Sequence, residues 1–179
     1  MDVFGWRWQR EKQVARLSPD LHGYASALIG DADLSFDLAQ ETLTKLLVTP
    51  HAPREFDDLK PYSFRMLRNL YIDYLRKQKI RMEYSTEQER VLSEIHTRSF
   101  DASDQLAVRE AFKMLKESHR EILFLIDVMG MKYLEVAEVM DIPKGTVMSR
   151  ISRARAEMMK HLQDDPLDMG EQSRIDDAK

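Results

Sequence analysis

Thr146, Ser149, Arg150 and Arg153 stand at i, i+3, i+4 and i+7, the spacing that puts side chains on one face of a helix. Val147, Ile151, Ala154 and Met158 repeat on the opposite side as an apolar seam. Just upstream, Tyr133, Val136, Ala137 and Met140 form a second seam, and Asp141-Ile142-Pro143-Lys144-Gly145 breaks the helix between the two, with the next helix beginning at Thr146. Two short helices joined by a tight turn, with a small residue (Ala137) at their closest approach and cations on the second, satisfy the requirements of a helix-turn-helix. The chemistry available to such a face is hydrogen bonding to base edges. A guanidinium from Arg150 or Arg153 can grip guanine bidentately. Lys144 and the backbone N–H groups near Gly145 and Thr146 can hold a phosphate at the positive end of the helix dipole. A plain helical hairpin would account for the seams but would leave Arg150, Arg153, Arg155 and Lys160 as an unexplained cationic surface.

A second cationic stretch lies at 60–81, where Lys60, Arg65, Arg68, Arg76, Lys77, Lys79 and Arg81 face Asp73 as the one acid. Leu67, Leu70, Tyr71, Tyr74 and Leu75 form a core-facing stripe there, while Arg65, Arg68, Asn69, Ile72, Asp73 and Arg76 share another face. A solvated helix face normally mixes both signs, so the imbalance leaves nucleic-acid contact and an ordinary solvated face equally open on these residues alone. Asp73 is placed to pair with Arg76 or Lys77 at i+3 or i+4.

These faces need helices to carry them. Six Gly, six Pro and many strong helix formers in 179 residues predict an all-α protein. Ser18-Pro19-Asp20 reads as a cap with Pro at the first helical position, Gly30 as the end of that helix, and Asp31-Ala32-Asp33 as a turn. A second helix carries Leu38, Leu43, Leu46 and Leu47 up to Pro50 and Pro53, and after the polar loop 49–59, which holds Phe56, a third starts near Lys60-Pro61 and runs to about Arg81. Residues 82–105 lose periodicity and hold six acids against two arginines, the composition of a linker. Val108, Ala111, Phe112 and Leu115 restart the pattern, Ser118 and Glu121 have capping-box spacing, and Gly130 ends the helix that follows. The tail 164–179 again holds six acids against two bases, which predicts disorder, whereas the aromatic-basic start (Phe4, Trp6, Arg7, Trp8, Arg10) is expected to pack onto the first domain.

The formal charge of −4 therefore hides a segregated pattern, acidic in the linker and tail and basic in two helices. With no cysteine, disulfides and thiolate metal sites are excluded. His22, His51, His96, His119 and His161 make no ligand spacing, and neither a nucleophile–base pair nor a phosphate-cradling glycine loop is visible, so no catalytic residue, metal or cofactor is expected. No apolar run nears the ~20 residues needed to cross a bilayer, and Arg7, Arg10, Glu11 and Lys12 interrupt any signal-like start; no membrane insertion is expected and cytoplasmic residence is the default.

Gly145-Thr146-Val147-Met148-Ser149-Arg150-Ile151-Ser152-Arg153-Ala154-Arg155 resembles the promoter-reading helix of the extracytoplasmic-function (ECF) sigma factors of bacterial RNA polymerase. Leu115 to Glu121, Tyr133-Leu134-Glu135-Val136-Ala137 and Ile142-Pro143 fit the same region of that family. Asp37-Leu38-Ala39-Gln40-Glu41-Thr42 is similar to its polymerase-binding helix, and Arg68-Asn69-Leu70-Tyr71-Ile72-Asp73-Tyr74-Leu75-Arg76 to the helix that opens the minus-10 element. The chain departs from the pattern at Ser63-Phe64, where the family usually has Trp-Leu, and at Lys116, where it commonly has Pro. The resemblance implies region 2 at 1–81, an acidic linker at 82–105, region 4 at 106–163 and an acidic tail at 164–179. It also implies roles. Asp37, Gln40 and Glu41 would meet the clamp helices of the polymerase large subunit, and region 4 its flap. Phe56, Tyr62 and Asn69 would hold a flipped base, and Arg65, Arg68 and Arg76 would neutralise phosphates at the minus-10 element. Lys144, Gly145, Thr146, Ser149, Arg150, Arg153 and Arg155 would bind the minus-35 element. The expected partners are core RNA polymerase, promoter DNA and an anti-sigma factor. A sigma-like mimic that only sequesters an anti-sigma protein, or a plain helix-turn-helix regulator, are the competing readings.

Overall fold

A computed structural model describes residues 3–84 and 103–163, and every regular element within them is helical. A first unit holds α1 (Val3–Ile29), α2 (Ala32–Val48) and α3 (Phe56–Tyr84). A second holds α4 (Ser103–Met114), α5 (Glu117–Leu123), which continues into a π-helical turn (Phe124–Val128), then α6 (Tyr133–Met140) and α7 (Lys144–Gln163). The linker expected at 82–105 falls mostly, and the tail at 164–179 entirely, outside the described residues.

In the first unit α1 runs through the predicted start at Ser18-Pro19, with Pro19 inside the helix. The ring and the missing N–H cost about 3 kcal/mol. Against that, Val14, Leu17, Leu21, Tyr24 and Leu28 all bury one continuous stripe on both sides of the proline, at roughly 1.5–3 kcal/mol for each large apolar side chain. Pro19 itself lies on the exposed side. Gly30 ends α1 with φ +80°, as the sequence predicts. Asp31 then caps α2 directly, its carboxylate accepting from the Leu34 N–H at 2.8 Å, so the expected turn is a single capping residue. The third helix starts at Phe56 rather than at Lys60-Pro61. Asp57 and Asp58 suit its positive end, Leu59 is fully buried, and Ser63 Oγ donates to the Lys60 carbonyl at 2.7 Å. The basic-aromatic start is partly packed. Arg10 is buried and donates to the Ala52 carbonyl at 3.0 Å, and Gln13 holds Arg54 O at 2.8 Å, which pins the loop between α2 and α3. Trp8 stays exposed, with the Lys12 ammonium 3.6 Å above its ring.

In the second unit Ala111 and Leu115 are buried and Val108 is exposed, so the α4 seam is narrower than predicted. The capping box expected at Ser118 is absent: Lys116 is the cap residue, and Glu121 is buried against the first unit. Gly130 closes the π-helical turn at φ +66°. In the helix-turn-helix the left-handed residue is Asp141 (φ 53°), and Gly145 lies inside α7, which begins at Lys144 rather than Thr146. Asp tolerates that backbone region better than most side chains. Val136, Val139 and Met140 of α6 meet Val147, Ile151 and Ala154 of α7 in the buried centre, while Tyr133, Ala137 and Met158 line its edge.

The two units share one hydrophobic core. Helix α5 and the π-helical turn lie on α1, and α6 lies on α3. The Tyr24 ring sits 5.0 Å from that of Phe64 and 6.1 Å from that of Phe124, centroid to centroid. A Cβ on Gly23 would come within 3.0 Å of the Phe124 ring, so glycine there permits the close approach. If α1 is continuous as described, Pro19→Ala restores a backbone hydrogen bond and stabilises the protein by up to about 3 kcal/mol. Urea unfolding followed by circular dichroism measures it, and a loss of stability would restore the helix start at Ser18.

Candidate nucleic-acid interface

Helix α7 presents its sequence-predicted residues as a graded surface. Lys144, Gly145, Ser149 and Arg153 are exposed, Thr146 and Arg150 are half-buried, and the seam behind them is sealed. The Pro143 carbonyl accepts the N–H groups of Thr146 and Val147, and Lys144 and Gly145 supply the earlier first-turn N–H groups at the helix's positive end. A Cβ on Gly145 would touch nothing, so internal packing does not call for the glycine, and the space above it is open to an approaching ligand. Arg155 departs from the expectation. It lies roughly half a turn away from the 146–149–150–153 face, and its guanidinium grips Asp127 of the π-helical turn at 2.5 and 3.1 Å. That pair raises the Arg155 pKa above its ordinary value, chiefly through the hydrogen bonds Arg155 donates to Asp127. Arg155 is therefore a strut between α7 and the π-helical turn.

On α3, Arg65, Asn69 and Arg76 are exposed on the expected face. Arg76 pairs with Asp73 at 3.4 Å, as the i+3 spacing predicts, but both are largely solvated and the pair contributes well under ~1 kcal/mol. Arg68 is turned inward to the second unit and bonds Glu121 at 2.9 Å. The two candidate stacking rings are half-buried: Phe56 lies under the Arg16 guanidinium at 4.0 Å, and Tyr62 packs on the core. On α2, Asp37, Gln40 and Glu41 are exposed together, with Gln40 3.3 Å from His22 Nε2 and Glu41 bridged to Lys45 at 2.9 Å. Sequence reasoning passed over Phe36, more than half exposed beside the His22 ring at 5.4 Å. The available signal was an aromatic one position off the Leu38–Ala39–Thr42–Leu43–Leu46 seam. It also passed over Glu121 as anything but a cap.

Among the described residues Glu121, like Arg10, is a charged side chain almost wholly enclosed by protein. Its Oε1 accepts from the Tyr24 hydroxyl at 2.8 Å and from Arg68 Nε at 2.9 Å. Burial raises its pKa, with Glu117 adding to the rise and Arg68 and the Tyr24 hydrogen bond opposing it. Burial, then the neighbouring Glu121 carboxylate, pushes the Tyr24 hydroxyl well above its ordinary value. Among the described residues no helix is long and apolar enough to cross a membrane.

An all-α chain with a helix-turn-helix and a second cationic helix defines a nucleic-acid-binding protein of two helical units. The family model for Sigma-70 region 2 matches residues 13–80, and that for Sigma-70 region 4 matches residues 105–158. The ECF RNA polymerase sigma factor EcfG of Rhodopseudomonas palustris (strain TIE-1) is 29% identical over 140 residues, 78% of this chain and 77% of that protein. The ECF sigma factor SigM of Bacillus subtilis (strain 168) is 26% identical over 140 residues, 76% of this chain and 84% of that protein. Among solved structures, the sigma factor RpoE of Bartonella quintana, in complex with the anti-sigma factor NepR, superposes with a TM-score of 0.70 at 29% identity, covering 86% of this chain and 96% of that one. The chain belongs to the sigma-70 family and is a promoter-directing sigma factor of the extracytoplasmic-function group.

Three single alanine variants distinguish the roles on α7. Arg153→Ala should relax preference at one base pair of a randomised upstream element, a loss of about 1–3 kcal/mol in discrimination. Lys144→Ala should weaken all sequences alike and lower the salt dependence by about one counterion. Arg155→Ala should leave the selected sequence unchanged and lower stability by about 0.2–1 kcal/mol, since the pair with Asp127 is half-solvated. A shifted selection in Arg155→Ala would return that residue to the DNA face.

Proposed function

We propose that α3 and α7 are the two promoter-reading helices of this sigma factor. The observation that carries the reading is the pair of cationic faces, Arg65–Asn69–Arg76 on α3 and Lys144–Ser149–Arg153 on α7; the α7 face is backed by a sealed apolar seam, and the α3 face by Leu67 and Tyr71, with Leu75 of the expected stripe exposed. Residues 1–81 act as region 2 and 106–163 as region 4, with 82–105 linking them and 164–179 as an acidic tail. Arg150 and Arg153 read bases of the minus-35 element, with Lys144, Gly145, Thr146 and Ser149 on the neighbouring phosphates and sugars. Arg65, Arg68 and Arg76 bind phosphates of the minus-10 element, and Asn69 contacts a base once the strands part. Phe56 and Tyr62 stack on that base only if their present packing loosens. Asp37, Gln40 and Glu41, with Phe36 beside them, dock on the clamp helices of core polymerase, and region 4 docks on the flap. The protein acts in the cytoplasm, without catalysis of its own. The Bartonella quintana relative was solved bound to its anti-sigma factor, and we extend to this chain control by a protein of that class.

Run-off transcription with purified core polymerase on a genomic promoter library tests the reading. A sigma-like mimic that only sequesters an anti-sigma protein yields no transcript, and a plain helix-turn-helix regulator binds duplex promoter equally well without polymerase. Asn69→Ala should leave closed-complex formation intact and reduce strand opening, read by gel shift beside permanganate footprinting. An unaltered footprint would remove Asn69 from base contact.

A further inference from the structure

Helix α1 grips the segment that leads from α2 into α3 through a ladder of polar contacts. Arg10 donates to the Ala52 carbonyl at 3.0 Å, and Gln13 Nε2 donates to the Arg54 carbonyl at 2.8 Å. The Arg16 guanidinium lies 4.0 Å above the Phe56 ring, and Asp20 pairs with Lys60 at 3.0 Å. At about 3.6 residues per turn, positions 10, 13, 16 and 20 share one side of α1, beside the buried stripe from Val14 to Leu28. They meet 52, 54, 56 and 60 in chain order, so one helix face runs alongside one stretch of chain.

The first two rungs hold backbone, and the loop's side chains are left free of them. Ala52 is buried, whereas His51, Arg54 and Glu55 are exposed. Each end of the loop is closed as well: the Ala52 N–H bonds the Thr49 carbonyl at 3.4 Å, and the Leu59 N–H bonds the Glu55 carbonyl at 2.9 Å. Pro50 and Pro53 restrict φ at two further positions. A surface loop needs no protein donors on its carbonyls, because water satisfies them. What side-chain donors add is a single shape, and a loop already fixed in its binding shape loses less entropy when it captures a partner. This loop opens directly into the helix that carries Arg65, Asn69 and Arg76. With Phe56 in its present packing under Arg16, the groups the loop presents are His51, Arg54 and Glu55.

We propose that Arg10, Gln13 and Arg16 are positioning residues for strand capture: they hold the α2–α3 loop so that its exposed side chains meet the same single-stranded minus-10 segment as Asn69. This rests on the assignment of Asn69 to base contact made above. Gln13→Met keeps the side chain's length and helix preference and removes the donor to the Arg54 carbonyl. Holoenzyme with either chain is titrated, by fluorescence anisotropy at fixed salt, with a forked duplex whose non-template strand is single-stranded across the minus-10 segment of a promoter recovered in the run-off library. The variant should bind this DNA about two- to tenfold more weakly, the worth of one hydrogen bond, and should bind the fully paired promoter as wild type does. Abasic sites are then placed one at a time along the single strand. At the base the loop meets, the abasic site should weaken wild type and erase its advantage over Gln13→Met, as for groups acting through one contact. A purely structural role would weaken binding to every DNA alike. Arg16→Met should show the same base-dependent loss with its salt dependence unchanged; a slope lower by about one counterion would make Arg16 a phosphate contact and overturn its positioning role. If Gln13→Met matches wild type on forked DNA, or loses equally on paired, forked and abasic DNA, the proposal is overturned. Should Gln13→Met fail to fold, the same outcomes with Arg16→Met overturn it. If no abasic site weakens wild type and Asn69→Ala binds the fork normally, the strand-capture reading itself fails, and the proposal falls with it.

Discussion

A carboxylate that is nearly excluded from water must be given donors, and in this protein the donors of Glu121 come from two helices far away in sequence. Leaving such a group unpaired would be strongly destabilising, so its position fixes the relative placement of α1, α3 and α5 together. Tyr24 can donate because its ring is wedged between Phe64 and Phe124, and Phe124 can reach that wedge because residue 23 is glycine. Arg120, one residue before Glu121, ties the same helix to the Ala27 carbonyl of α1. The docking of the two units thus depends on a few groups meeting at one place, with apolar contacts around them.

The same economy appears within the second unit. Helix α7 is held by its apolar seam and by two polar struts: Arg155 to Asp127 in the π-helical turn, and His119 of α5 to Glu157. Arg155 lies about half a turn from the Ser149–Arg153 surface, whereas Glu157 continues that side of the helix one turn beyond Arg153. The π-helical turn has a part in this. Bonding from the Met129 N–H to the Phe124 carbonyl at 2.9 Å widens the helix just after α5, where Asp127 receives Arg155.

The interface between the two units is mixed. The apolar part, centred on Tyr24, Phe64 and Phe124, makes docking favourable, while the ionic part makes it specific at little net gain. Exposed apolar side chains such as Phe36, Leu47 and Val48 on α2 remain uncovered in the docked form. That face of α2 can therefore be approached while the two units are together.

Much of this was legible in the residues themselves. The period of Val147, Ile151 and Ala154 determined which side of α7 is sealed, and so which side carries Ser149 and Arg153. Gly30 and Gly130 marked helix ends because a left-handed backbone there excludes most other residues. The i+3 spacing of Asp73 and Arg76 was enough to pair them. Local rules failed where distant burial outweighed them. Pro19 does not start a helix, because the stripe from Val14 to Leu28 continues through it. Ser118 and Glu121 do not form a capping box, because the carboxylate is used between the units. Arg155 is engaged by Asp127 of the π-helical turn, a partner that its spacing along α7 does not name. Each of these outcomes depends on a group many residues away, and only the tertiary structure could decide them: spacing along a chain determines which side chains share a face, whereas the partner each one meets is set by how the helices pack.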